Sequence, residues 1–142
     1  MEAEDLLSQG FTKIFAHISK FEYEHEHGLR AWMKKIMINE CLMFLRKRHN
    51  FYLVPLNEAE EISVEDVQLE KMDSHYILQS ISELPVGYRT VLNLYVIEGY
   101  SHLEIGKLLN IKEATSRSQL NKAKEALKQK LLPYKSMSHG KR

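Results

Sequence analysis

Cysteine occurs once in this chain, at Cys41, which excludes an internal disulfide framework and leaves the fold without covalent staples. A lone thiol among apolar neighbours reads first as a small residue on a helix face. Long hydrophobic runs are absent as well: no stretch approaches the roughly 20 apolar residues that a membrane-spanning helix needs. The opening "MEAEDLL" is acidic where a signal peptide would be basic, so the protein is expected in the cytoplasm without membrane insertion. Nor is there a glycine-rich phosphate loop, a Ser/His/Asp set or a supported pair of carboxylates, so no enzyme activity and no cofactor are expected. His25 and His27 in "EHEHG" are too few for a zinc site, which wants three or four convergent ligands, and no metal is expected.

What is present is charge, and it is segregated. The net charge is only +1, yet residues 1–29 sum to −4, residues 30–49 to +5, residues 57–75 to −6, residues 76–109 to −1 and residues 110–142 to +7. Two basic blocks flank an acidic one, and such blocks act on partners through local potential, so a small total charge does not argue against nucleic acid. A hydrophobic content of 44% also excludes disorder throughout.

Apolar residues recur three or four apart and strand-like alternation is scarce, which predicts an all-α chain. Leu6, Leu7, Phe11, Ile14, Phe15 and Ile18 form one stripe, which "KFEYEHEHG" interrupts. A second runs through Leu29, Trp32, Met33, Ile36, Met37, Leu42, Phe44 and Leu45 to a helix end near Asn50, with cations in the last turn where they suit the helix dipole. The stretch 51–73 carries Pro55, a dense acidic run and no sustained period, and reads as a linker with at most one weak helical turn. Two small helical modules are therefore expected: residues 1–50, then residues 74–133, followed by a basic tail at 134–142.

In the second module a stripe of Ile77, Leu78, Ile81 and Leu84 stops before Pro85, and Val91, Leu92, Leu94, Tyr95 and Ile97 make a helix closed by Gly99. Ser101 with Glu104 three positions on fits a capping box, and Asn110 suits the left-handed residue of a tight turn. A helix then resumes with Leu120, Ala123, Leu127 and Leu131 inward, so the module reads as a four-helix bundle with a helix-turn-helix. Outside that stripe lie Thr115, Arg117, Ser118, Gln119, Asn121, Lys122 and Lys124, residue types that bond base edges and neutralise phosphates. Composition leaves two readings open: a helix that enters a major groove, or an ordinary solvated face of a bundle.

The motifs at both ends resemble one family, the extracytoplasmic-function sigma factors of the sigma-70 superfamily. "LPVGYRTVLNLYVIEGYSHLEIGKLLNIKEATSRSQLNKAKEAL" is similar to sigma region four, with Leu84, Pro85, Arg89, Val91, Glu98, Gly99, Ser101, Glu104, Ile105, Leu109, Ile111, Thr115, Ser118, Leu120 and Ala123 in register. "AEDLLSQGFTKIF" resembles the polymerase-binding helix of region two. "LRAWMKKIMINECLMFLRKR" resembles the promoter-melting and minus-ten helix, matched at Trp32, Ile36, Asn39, Leu45 and Arg46.

The resemblance implies a factor that binds core RNA polymerase and promoter DNA, directs promoter-specific initiation, and has an anti-sigma factor as a further partner. It implies that Glu4, Asp5, Leu6 and Phe11 dock on the polymerase clamp. Asn39 and the loop from Phe21 to Leu29 would receive an extruded base of the minus-ten element, while Lys34, Lys35, Arg46, Lys47 and Arg48 hold the strand's backbone. Thr115, Arg117, Ser118, Gln119, Asn121 and Lys122 would contact the minus-thirty-five element. Trp32 stays open between core anchor and DNA contact. Several positions depart from the family pattern: Ser8-Gln9, Met43, Glu40 and Cys41 are atypical, and the family's first region-two helices have no counterpart before "AEDL". The expectation is thus an incomplete region two whose exposed faces need polymerase, a second copy or a preceding segment; the alternative is a truncated sigma-like module that binds polymerase or an anti-sigma factor without initiating transcription.

Overall fold

The structure, a computed structural model, describes residues 3–23, 25–49 and 73–138, with side chains described to residue 133. The linker expected over 51–73 lies outside these residues except at its last position, and so does the end of the tail expected over 134–142. Every regular element among the described residues is helical: α1 (Ala3–His17), α2 (Glu26–Arg48), α3 (Ser74–Ser82), α4 (Val86–Leu92), α5 (His102–Leu109) and α6 (Glu113–Ser138). They belong to two compact units, residues 1–50 and 51–142.

In the first unit α1 runs into a single 3₁₀ turn, Ile18–Lys20, and packs along α2. Ile14 and Leu42 are buried between them, and Gly10 lets the two helices approach: a Cβ there would lie 2.1 Å from the Met37 sulfur. Two helices cover little surface. Of the six-residue apolar stripe that runs from α1 into the 3₁₀ turn only Ile14 is buried, while Leu7, Phe11, Phe15 and Ile18 are exposed, because one partner helix is narrower than the stripe. The break before α2 is shorter than its composition suggests. His25 is the N-cap and its Nδ1 accepts the Gly28 amide at 2.8 Å, which draws the histidine-rich stretch and its glycine into the first helical turn. The helix ends at Arg48, with His49 bonding back to Leu45.

The second unit gathers Leu84, Val91, Leu92, Leu94, Ile105, Leu109, Ile111, Leu120, Ala123 and Leu131 into one core, with α6 packed against α3, α4 and α5. Asp73 caps α3 by accepting the His75 amide. The Lys130–Glu83 ion pair, at 2.8 Å, and the Tyr76 hydroxyl, which donates to the Lys130 carbonyl, tie α3 to the far part of α6. Beyond Leu92 the chain continues as a π-helical turn, Asn93–Ile97. The wider turn rotates Tyr95, Val96 and Ile97 out of the core, where an uninterrupted α-period would have kept Tyr95 and Ile97 inside.

The turn between α5 and α6 follows from its residues. Ser101 Oγ accepts the Glu104 amide and the Glu104 carboxylate accepts the Ser101 amide at 2.8 Å, a complete capping box, and these bonds hold the Glu104 carboxyl below its ordinary range. At the other end Asn110 adopts φ 56°, ψ 47°, the left-handed conformation an asparagine tolerates, and Ile111 bonds back to Gly106. Gly106 is needed for the close approach: a Cβ there would lie 2.9 Å from the Ile111 carbonyl oxygen. Inside α5, Ile105 and Leu109 are buried, whereas Leu103 is exposed.

Candidate nucleic-acid interface

Each unit presents a surface with the chemistry of DNA contact. In the second it is α6, the long helix after the turn. Its first two turns are covered from two sides, by α4 and by α5, so the buried arc there is wider than the apolar residues alone mark. Thr115, Ser118 and Gln119, expected on the outward face, are buried, along with Ser116. Gln119 is 0% exposed and its Oε1 sits over Gly87, where a Cβ would lie 2.7 Å away. The polar nature of these side chains hid their inward position from a reading that tracked apolar spacing.

Arg117, with 60% of its side chain exposed, does face outward and pairs with Glu113 one turn earlier. Asn121, Lys122 and Lys124 are half-buried, and Lys122 lies 3.9 Å from Glu125. Exposed Lys112 and Ala114 begin the same surface. One residue on α5 joins it without having been singled out in the sequence. His102 stacks on Tyr95, with ring centroids 4.4 Å apart, and its Nδ1 lies 2.9 Å from Ser116 Oγ, so it locks the start of α5 to α6. Burial and then the charge of Arg117 push its pKa down, with Lys124 acting in the same sense and Glu113 opposing. Its only sequence signal is a histidine directly after a helix cap.

In the first unit the cations expected on the strand's backbone, Lys34, Lys35, Arg46, Lys47 and Arg48, are all exposed along α2. Arg46 bonds the Leu42 carbonyl and Arg48 lies 4.8 Å over the Phe44 ring. Asn39 is also exposed, and by helical spacing it shares a side of α2 with Lys35 and Arg46. It opens onto a cavity of about 330 Å³ between the two helices, lined by Lys13, His17, Lys20, Trp32, Ile36, Asn39 and Glu40. Trp32 is half-buried, with one side toward the cavity and its ring 5.0 Å from that of Phe21.

The α1 residues of this cavity were not anticipated. Lys13 and His17 of α1 and Lys20 of the 3₁₀ turn that follows it recur at intervals of four and three, a cationic edge that the apolar stripe of the same stretch obscured. Lys13 reaches across to Glu40 at 2.6 Å. Partial burial and then the Glu40 carboxylate push the Cys41 thiol pKa up, away from reactivity. Of the residues expected to dock on polymerase, Glu4, Asp5 and Phe11 are exposed on α1 and Leu6 is half-buried. Among the described residues no three His, Cys, Asp or Glu side chains converge on a metal-sized site, and no helix is long and apolar enough to cross a membrane.

Known proteins match the chain in two places. The family model for sigma-70 region 2 matches residues 1–51, and that for sigma-70 region 4 matches residues 74–127. The chain is 28% identical over 143 residues to the ECF RNA polymerase sigma factor SigW of Bacillus subtilis, covering 92% of this chain and 75% of that protein. It is 26% identical to SigM of the same organism, covering 89% and 77%, and 26% identical to SigE of Mycolicibacterium smegmatis, covering 95% and 54%.

Proposed function

This chain belongs to the extracytoplasmic-function sigma factors of the sigma-70 family, and on that premise we propose a division of labour between its two units. The protein works with core RNA polymerase in promoter-specific initiation of transcription. The first unit receives an extruded base of the melted minus-ten element in the α1–α2 cavity beside Asn39. Lys34, Lys35, Arg46, Lys47 and Arg48 neutralise the phosphates of the same strand. The second unit lays the outward edge of α6, Arg117, Asn121, Lys122 and Lys124, in the major groove of the minus-thirty-five element. Glu4, Asp5, Leu6 and Phe11 of α1 dock on the polymerase, an anti-sigma factor is a further partner, and the protein acts in the cytoplasm.

The observation that carries this reading is the cavity itself. Single-stranded DNA is bound by cationic surfaces with pockets for unstacked bases, and this cavity combines Trp32, Asn39 and three cationic or imidazole side chains of α1 and the 3₁₀ turn after it. Promoter melting by the reconstituted holoenzyme tests it. Asn39→Ala should lower open-complex formation while duplex binding through α6 stays intact, and an equal loss of both contradicts the division between the units.

A further inference from the structure

One polar group in the α1–α2 cavity is unlike the rest. Lys13, His17, Lys20 and Asn39 all stand at the rim or donate, but Glu40 is an acceptor with only 10% of its side chain exposed. Among the described residues its carboxylate takes one bond, from Lys13 Nζ to Oε1 at 2.6 Å, and Lys13 is itself 46% exposed. A carboxylate offers about four lone-pair positions on two oxygens, so the pair presents further acceptor capacity beside an ammonium donor. A volume of about 330 Å³ falls within the range of small-ligand sites.

We propose that Glu40 selects the base: its carboxylate accepts the exocyclic amino group of a base extruded into this cavity, and the cavity thereby rejects thymine. The proposal rests on the reading of the cavity as the base site and adds the group that discriminates. Cytosine, adenine and guanine each carry an amino group beside a ring acceptor or carbonyl, so each can donate to Glu40 while Lys13 donates to the neighbouring acceptor. Thymine has no amino group. Its single N3–H lies between two carbonyl oxygens, and bringing it to Glu40 sets both oxygens against the carboxylate. Lys13 has a second part in this: by pairing with Glu40 it lessens the repulsion that a buried carboxylate would exert on the phosphates entering the site.

Fluorescence-anisotropy titration of the full chain with labelled oligo(dC) and oligo(dT) tests the proposal. Oligo(dC) should bind more tightly by roughly five- to 150-fold, the discrimination of one well-formed polar base contact. Glu40→Gln should bring the two within about twofold, because its amide can turn to donate or accept. A strand in which cytosine is replaced by 2-pyrimidinone, which lacks the amino group, should lose the same factor on the unaltered protein, an arm that needs no variant to fold. Equal affinity for oligo(dC) and oligo(dT), with Asn39→Ala weakening both, overturns the role of Glu40 and leaves the base site standing. Single-strand affinity that ignores Asn39→Ala and Glu40→Gln alike overturns both.

Discussion

Gln119 and Arg117 are two residues apart on α6, and their opposite environments predict opposite phenotypes. Gln119 is 0% exposed against Gly87, so Gln119→Ala leaves a void and removes the polar side chain packed over that glycine. Loss of a buried polar contact costs about 1–3 kcal/mol. For a domain of this size that lowers Tm by roughly 4–24 °C, read by far-ultraviolet circular dichroism. Measured well below the new melting temperature, affinity for a minus-thirty-five duplex should stay within about twofold of the parent, since the residue does not reach the groove. Arg117→Ala loses one solvent-exposed pair with Glu113 at helical spacing, worth about 0.3–0.5 kcal/mol, so Tm moves by about 4 °C at most. Its duplex affinity should fall about five- to 150-fold, with relaxed base preference, if the guanidinium reads a base edge. A Gln119→Ala protein that melts like the parent yet loses DNA affinity would show that α6 is rotated relative to this arrangement. An Arg117→Ala protein with unchanged affinity at physiological salt would remove α6 from the groove.

Lys122→Ala should weaken binding to all duplexes alike and lower the slope of log affinity against log salt by about one, as loss of a single phosphate contact does; a sequence-dependent loss would assign it to a base instead. His102 has its pKa pushed below the ordinary 6.5 by burial and by Arg117, so the folded chain binds this proton more weakly than the unfolded chain. The stability it contributes is present above pH 6.5 and is lost as pH falls through the folded value, and thermal melts should show a steeper decline below pH 6.5 in the parent than in His102→Asn. Asn110→Ala keeps a β-carbon in the left-handed region but loses the short polar side chain that makes asparagine tolerable there, and should cost at most about 1–2 kcal/mol in chemical denaturation, whereas Asn110→Gly should be nearly neutral. Ser101→Ala removes the N-cap acceptor of α5 and should cost about 0.5–2 kcal/mol in the same assay.

The parts of this fold that a reader can take from the sequence are those whose cause is local. The capping box at Ser101 and Glu104, the left-handed Asn110 and the stop at Pro85 each depend on a residue and its immediate neighbours, and each stands in the structure as its chemistry dictates. Ile105, Leu109, Leu120 and Ala123 follow from a period of 3.6 and are buried. The inward position of Thr115, Ser118 and Gln119 depends instead on how many elements meet α6 at its start, which no spacing within α6 encodes. The exposure of Tyr95 and Ile97 arises from one π-helical turn, a change of phase that looks like an ordinary stripe in one dimension. The cavity was half legible: Trp32, Ile36 and Asn39 lie four and three apart on α2, but its other wall needs the crossing of α1, which only the packed pair shows.

That crossing gives α1 and the 3₁₀ turn that extends it two different flanks. Gly10 and Ile14 form the line buried against α2. To one side of it Leu7, Phe11, Phe15 and Ile18 are exposed, and to the other Lys13, His17 and Lys20 face the cavity. A helix in a unit with so small a core has little of its own to fix its tilt, and tilt decides whether Lys13 stays within reach of Glu40. A partner that covers the apolar flank therefore also sets the cavity's width. If core polymerase is that partner, linkage requires that docking and base capture strengthen each other by the same factor. Phe15→Ala, on the flank of α1 away from the cavity and strongly exposed, should then weaken oligo(dC) binding by the holoenzyme while leaving oligo(dC) binding by the free chain unchanged. Equal loss in both states would mean that Phe15 supports the fold and that the two flanks of α1 act independently.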